Sequence, residues 1–168
     1  MGRFYIMKKV YIYIIVIMGV VVLSCKEDTP KAIVLDDNNA IEVDIVHSAG
    51  DRWAPSDNFL PLPFNVAIGG EDEIIVLSER IKKGVTLDVK PIGAVRILQN
   101  DTLITYVVAI PIKLDYKSLS ASDFDEFSTV FSGAKWIVEQ YLLNRKNSYT
   151  VKLKSWENEN FAIKYLLK

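Results

Sequence analysis

The chain has 168 residues, with 20 basic and 21 acidic side chains and a formal net charge of −1. This balance argues against nucleic-acid binding, which is favoured by basic patches. A single histidine and a single cysteine exclude a histidine-rich zinc site and a disulfide within the chain.

The N-terminal segment predicts a bacterial lipoprotein signal. A basic start over residues 1–9 precedes an apolar run over 10–23, and the run ends just before Cys25. It is too short to cross a bilayer, which takes roughly 20 apolar residues, but it has the length of a secretory signal. The residues over 22–25 resemble a lipobox, in which the cysteine receives the lipid and becomes the first mature residue. The alternatives are an uncleaved anchor and a cysteine that occurs there by chance.

Three parts of the chain follow from this interpretation. We expect a signal peptide over 1–25, a polar tether over 26–39 and one domain over 40–168. Without the three basic residues of the signal, 17 basic residues face 21 acidic ones, a formal charge of −4. The expected location is the outer membrane and periplasm, or the cell surface, of a Gram-negative bacterium, with a membrane lipid anchor at Cys25.

The first half of the domain predicts strands. Residues 41–45 alternate between apolar and acidic side chains, and 74–77 form a short apolar run. A hairpin follows, with strands over 87–98 and 103–110 and a polar turn over 99–102. Because Pro91 lacks a backbone donor, it belongs at a strand start, an edge or a bulge.

The second half predicts mainly helices. Ser122 is the expected N-cap of a helix on which Phe124, Phe127 and Phe131 share one face. These aromatic side chains predict a core contact rather than a ligand-stacking platform. A strand over 149–153 and a helix over 157–168 follow. Strands first and helices last indicate an α+β fold, here a small OB-like β-barrel with C-terminal helices packed beside it.

Few residues offer catalytic chemistry of their own. His47 stands near a strand end and is expected to be an edge residue, and there is neither a Gly-x-Ser-x-Gly elbow nor a glycine-rich phosphate loop. Glu71, Asp72 and Glu73 form an acidic turn. The turn predicts either a solvated surface or a weak metal site, to which Asp101 would contribute from the hairpin turn.

An ordered series of short segments resembles the soluble, barrel-type (family I) inorganic pyrophosphatases. The segments are Val89-Lys90-Pro91-Ile92-Gly93, Val107-Val108-Ala109-Ile110-Pro111, Asp123-Phe124-Asp125-Glu126-Phe127, Gly133-Ala134-Lys135, Leu143-Asn144-Arg145-Lys146 and Ser155-Trp156-Glu157-Asn158. Pro63-Phe64-Asn65 also resembles a family segment, although the tyrosines that flank the asparagine there are absent.

The resemblance implies that the site would hold several Mg²⁺ ions on aspartates and activate water against pyrophosphate. The positions that it assigns to metal-binding aspartates carry Ile68, Gly70, Glu73, Gln99 and Ile104, and Tyr106 stands where a lysine is expected. Arg145 and Lys146 take the place of a pair that binds phosphate.

These replacements predict a pyrophosphatase-like domain that has lost most of its metal ligands, because isoleucine cannot bind Mg²⁺. The alternative is an active Mg²⁺-dependent diphosphatase that hydrolyses pyrophosphate to phosphate at a rearranged site around Glu71, Asp72 and Glu73. A third possibility is a small-ligand or oligosaccharide binder that uses the barrel face. Whether the protein is an enzyme is left open by the sequence.

Overall fold

The computed structural model describes residues 35–36, 39–52, 60–113, 115–144 and 150–168. By its contacts the chain divides into Met1–Pro30 and Lys31–Lys168, and the first unit lies wholly outside the described residues. The predicted signal with Cys25 therefore lies outside them, as does most of the tether. Within the part of the chain that is described, no helix is long and apolar enough to cross a membrane.

Six strands and three helices make up the described part of the second unit. The strands are β1 (Ile41–His47), β2 (Asn65–Gly69), β3 (Asp72–Val76), β4 (Thr86–Gln99), β5 (Thr102–Pro111) and β6 (Val151–Glu157). The helices are α1 (Phe124–Thr129), α2 (Ser132–Leu143) and α3 (Glu159–Leu166).

Five of the strands pair in a ring. β1 pairs with β2, β2 with β3, β3 with β5, β5 with β4, and β4 with β1 again; only the pairing of β3 with β5 is parallel. β6 pairs with the second half of β4 and lies outside the ring, so the six-stranded sheet as a whole is not a closed barrel. Strands first and helices last, around an OB-like sheet, confirm the predicted α+β fold.

The strands bury side chains on both faces, in two separate clusters. The first core joins one face to α1 and α2 through Phe127, Val138 and Leu142. The second core lies on the other face and includes Ala162 and Leu166 of α3. Successive side chains of a strand point to opposite faces, so neighbouring residues contribute to different cores.

A β-bulge in β4 changes which face each residue supplies. The pairing with β5 skips from Pro91 to Gly93, leaving Ile92 as the extra residue. Before the bulge, Val89 points into the second core; after it, Val95 points into the first, although both have odd numbers. A bulge inserts one residue and so inverts the alternation. Pro91 is found at a bulge, as its missing donor predicts.

The β4–β5 hairpin closes through a two-residue turn. Asn100 and Asp101 both have positive φ, at 49° and 64°. Two such residues form the turn that matches the right-handed twist of a hairpin, and asparagine and aspartate tolerate this conformation best after glycine. The predicted turn over 99–102 is confirmed.

The helix predicted to carry Phe124, Phe127 and Phe131 on one face ends before Phe131, which is the N-cap of a second helix. The N-cap of α1 is Asp123, not Ser122, because the Asp123 side chain accepts the hydrogen bond from the backbone N–H of Glu126 at 2.8 Å. Ser122 takes part in a reciprocal way, donating both its backbone N–H and its hydroxyl to the Glu126 carboxylate at 2.7 Å. The first helix ends at Thr129, and α2 begins afresh at Ser132.

Candidate functional site

The predicted acidic turn is a tight β2–β3 hairpin. Gly69 pairs with Asp72, so Gly70 and Glu71 alone form the turn, and Gly70 has a φ of 63°. Glu71 is exposed, whereas Asp72 and Glu73 are half-buried in β3. Since neighbouring strand residues point to opposite faces, the side chains of Asp72 and Glu73 diverge, and the turn does not gather its carboxylates.

Asp72 faces the side of the sheet that carries α3. It follows the parity of Ile74, which lies in the second core, and its carboxylate lies close enough to the Tyr165 hydroxyl to affect its titration. Burial raises the pKa of Tyr165, and the negative charge of Asp72 and hydrogen bonding to its carboxylate raise it further. Asp72 is thus engaged with the C-terminal helix.

Glu73 faces the opposite side, toward the first core. It pairs across the hairpin with Ile68, and Ile104 packs against the same core. Tyr106 belongs to that core and is only 5% exposed. Ile68 and Ile104 are half-buried and Tyr106 is buried, so apolar or aromatic side chains occupy three of these positions. They do not fit a centre in which several carboxylates hold hard cations.

No other cluster within the described ranges supplies the missing ligands. Among those residues there is no group of three or more histidine, cysteine, aspartate or glutamate side chains placed to hold a metal ion. Asp101 is exposed in the β4–β5 turn. A weak metal site at Glu71, Asp72 and Glu73 therefore stays a prediction from sequence. Arg145 and Lys146, the predicted phosphate-binding pair, lie outside the described residues, and their role is likewise a prediction.

Asn65 has a structural role that its motif did not reveal. The side chain is fully buried, and its oxygen accepts hydrogen bonds from the backbone N–H groups of Ala49 and Ile81, both at 2.9 Å. Its amide nitrogen donates to the Ser78 hydroxyl and to the Glu79 carbonyl, both at 3.0 Å. Buried polar groups of this kind are retained when fully hydrogen-bonded. Asn65 joins three segments of chain.

Among the described residues, two clefts lie beside the sheet, and no sequence pattern predicted either of them. One, of about 330 Å³, lies beside α2 and is lined by apolar residues together with Glu79 and Lys117. The other, of about 460 Å³, lies between the β4–β5 hairpin and α3 and contains Arg96 and Lys164. Lys168 follows Lys164 by four residues and lies just past the end of α3. Only the fold brings them to Arg96.

Solved structures with the same fold are inorganic pyrophosphatases. The pyrophosphatase of Thermus thermophilus superposes with a TM-score of 0.62 at 16% identity, covering 82% of this chain and 94% of that one. The Helicobacter pylori enzyme gives a TM-score of 0.60 at 19% identity, covering 81% and 95%. The Neisseria gonorrhoeae enzyme gives 0.57 at 18% identity, covering 83% and 95%.

No family model and no curated protein matches the sequence. The structural likeness extends over nearly the full length of the bacterial pyrophosphatases, and at such low identity it establishes the fold. The chain thus has an inorganic-pyrophosphatase fold. Because function depends on the residues grafted onto a fold, the chemistry has to be argued from the side chains themselves.

Proposed function

We propose that this chain is a non-catalytic module with a pyrophosphatase fold, held at a bacterial envelope by a lipid on Cys25. The observation that carries the first part is the composition of the sheet face where the resemblance places metal ligands. Ile104 stands there at a metal-ligand position and Tyr106 at the position of a lysine, and both pack with the first core. Apolar and aromatic side chains at these two positions support a structural role for this face.

The chemistry of pyrophosphate hydrolysis explains why these replacements matter. The substrate carries several negative charges, and a hard cation with oxygen ligands neutralises them while lowering the pKa of the attacking water. A glutamine at position 99 offers only a neutral oxygen, and isoleucine offers none. Asp72, which could substitute, lies beside Tyr165 on the face that carries α3, and Glu73 faces the other way.

Phosphate release from pyrophosphate by the full chain in Mg²⁺ tests this part. We expect turnover well below the order of 1 s⁻¹ that marks the lower end of ordinary enzymes. The control is the triple variant Glu71→Gln, Asp72→Asn, Glu73→Gln, which should release phosphate no more slowly than the parent chain. Turnover at enzymatic rates that disappears in the triple variant would instead establish the rearranged diphosphatase.

The second part of the proposal rests on the sequence over 1–25. Its support is the basic start, the short apolar run and the cysteine that ends the run. We propose that the mature domain is displayed in the periplasm or at the cell surface. Fractionation of cells that express the full chain tests this with Cys25→Ala, which should leave the membrane fraction or accumulate as precursor. Normal processing and membrane binding of the variant would contradict lipidation.

A further inference from the structure

The larger cleft lies on the sheet face opposite to the aligned catalytic positions. Arg96 and Thr105, which line it, have the strand parity of the second core, whereas Ile104 and Tyr106 point to the first. Its volume of about 460 Å³ is within the usual range for small-molecule sites. A ligand bound here would therefore be independent of any chemistry on the other face.

Arg96 is fixed on one side of the cleft. Its Nη1 lies 3.3 Å from Glu157 Oε1, and the guanidinium carbon lies 5.3 Å from the centre of the Phe161 ring. Glu157 is held in turn by the Ser155 hydroxyl, which donates to the same oxygen at 2.8 Å. Of the three guanidinium nitrogens of Arg96, only Nη1 has a hydrogen-bond partner among the described residues, and the buried Nε has none. The guanidinium is thus held in position while most of its donors are unused.

The other two cations come from α3 and the residues just after it. Lys164 and Lys168 line the cleft one helical turn apart, and in the part of the chain that is described neither forms an ion pair. Lys168 Nζ lies 3.2 Å from the centre of the Tyr165 ring. Three cations lie near two carboxylates, those of Glu157 and of Asp72 beside Tyr165, and leave a local excess of one positive charge, which suits an anionic group.

The remaining walls are apolar and flat. Leu103 comes from the hairpin, and Phe161 and Tyr165 stack with their ring centres 6.3 Å apart and their planes inclined by 17°. Aromatic walls of this kind favour a planar apolar group, with the cations supplying the polar contacts that fix its orientation. The cleft therefore combines an aromatic wall with a charged end.

We propose that this cleft binds a small phosphate monoester that carries an aromatic ring. The phosphate dianion would be held by Lys164, Lys168 and the open side of the Arg96 guanidinium, which is well suited to phosphate oxygens. The ring would lie against Phe161 and Tyr165. This inference does not depend on the proposed loss of catalysis, because it uses the other face of the sheet.

Calorimetric titration of the full chain with phenyl phosphate tests the proposal. We expect saturable binding that is weakened about tenfold or more in the double variant Lys164→Gln, Lys168→Gln, because hydrogen bonds to charged groups contribute about 1.5–3 kcal/mol. Lys117→Gln, which removes one lysine from the smaller cleft, is the control and should leave the affinity unchanged. Arg96→Lys keeps the positive charge, and with it a partner for Glu157, but loses the parallel N–H donors of the guanidinium. We expect it to weaken binding.

Two further ligands separate the parts of the proposal. Inorganic phosphate lacks the ring and benzoate lacks the second negative charge, so each should bind more weakly than phenyl phosphate. Equal affinity for phenyl phosphate and inorganic phosphate would overturn the role of the aromatic wall. The site itself would be overturned if phenyl phosphate did not bind measurably. It would also be overturned if Lys117→Gln weakened binding and the double variant Lys164→Gln, Lys168→Gln did not.

Discussion

The side-chain oxygen of Asn65 accepts the backbone N–H of Ile81, 16 residues further along the chain, at 2.9 Å. The same oxygen accepts the N–H of Ala49. The segment after β3 and the segment after β1 are thus both fixed by one side chain at the start of β2. The backbone N–H of Ile81 could not make this hydrogen bond to water instead, because Asn65 and Ile81 are completely buried; Ala49 is half-buried.

Asn65→Leu should therefore destabilise the domain strongly. The substitution removes an acceptor shared by two backbone donors, and each buried group left unsatisfied costs about 1–3 kcal/mol. We expect a loss of about 3 kcal/mol or more in the free energy of unfolding, measured by urea denaturation. Asn144→Leu is the control, since Asn144 is an exposed residue whose amide donates to Gln140 at a helix end. A similar small loss in both variants would contradict the role assigned to Asn65.

Two glycine-to-alanine substitutions should have opposite effects. At Gly93 a Cβ would lie 2.9 Å from the backbone oxygen of Glu157 and 2.7 Å from the Phe124 ring. Because a paired backbone cannot move away cheaply, we expect Gly93→Ala to lower the free energy of unfolding by about 1–3 kcal/mol.

At Gly133, by contrast, a Cβ would meet no atom within 4 Å. Gly133 lies in the first turn of α2, where alanine is the better helix former. Gly133→Ala should raise the stability by about 0.5–1 kcal/mol. Thermal unfolding of both variants beside the parent chain checks the pair, and changes of the same sign would contradict the packing described around Gly93.

The hairpin and the helices differ in how far the sequence predicted them. The β4–β5 hairpin was predicted to within one residue at all four strand ends, because alternation and the turn residues Asn100 and Asp101 are local signals. The break between α1 and α2 was not predicted. It falls at Val130 and Phe131, where neither proline nor glycine marks it. The predicted N-cap, Ser122, is one residue away from the observed one, Asp123, because serine and aspartate are both good capping residues.

The candidate site was less accessible to prediction than the fold. The sequence identified Glu71, Asp72 and Glu73 as neighbours. Which way their side chains point depends on β3, which begins at Asp72 and therefore sends Asp72 and Glu73 to opposite faces. The larger cleft depends on bringing Arg96 and Lys164 together through the pairing of β4 with β6 and the docking of α3. Contacts between residues so far apart in the chain leave no local pattern.

Alkaline pH should weaken the domain through Tyr165. Its pKa is raised in the folded state, first by burial and then by Asp72, so the folded state favours the neutral phenol. The resulting stabilisation is fully present below the ordinary tyrosine pKa of about 10 and is lost as the pH rises through the folded value. Asp72→Asn should lower the pKa of Tyr165 but leave it above the ordinary value, since burial remains.

Carbon NMR of ring-labelled tyrosine, with Tyr165→Phe to assign the signal, would follow this titration. An identical Tyr165 pKa in the parent chain and in Asp72→Asn would show that the two side chains do not interact. Glu71→Gln is the matched control for the loss of one negative charge from the same hairpin, and it should leave the titration of Tyr165 unchanged.

Acid should act on the start of α1. Hydrogen bonds from the backbone N–H of Ser122, and then from its hydroxyl, hold the pKa of Glu126 below the ordinary value. This contribution to stability is present above the unfolded pKa and is lost as the pH falls through the lowered one. Ser122→Ala should raise the pKa of Glu126 only partway, because the backbone donor remains. Titration by carboxyl NMR checks this, and Ser128→Ala, at a serine of the same helix whose hydroxyl donates to the Asp125 carbonyl, should leave the pKa of Glu126 unchanged.

The bulge at Ile92 determines which face of the sheet the positive charge of Arg96 lies on. Without the extra residue, Arg96 would exchange faces with its neighbours and enter the first core, where a guanidinium would lose its partner Glu157. Deleting Ile92 would thus invert the alternation of side chains in the second half of β4, so that each residue there would face the opposite side of the sheet. With this inserted residue, the second half of β4 contributes Val95 and Ile97 to the first core and places Arg96 at the larger cleft on the opposite face.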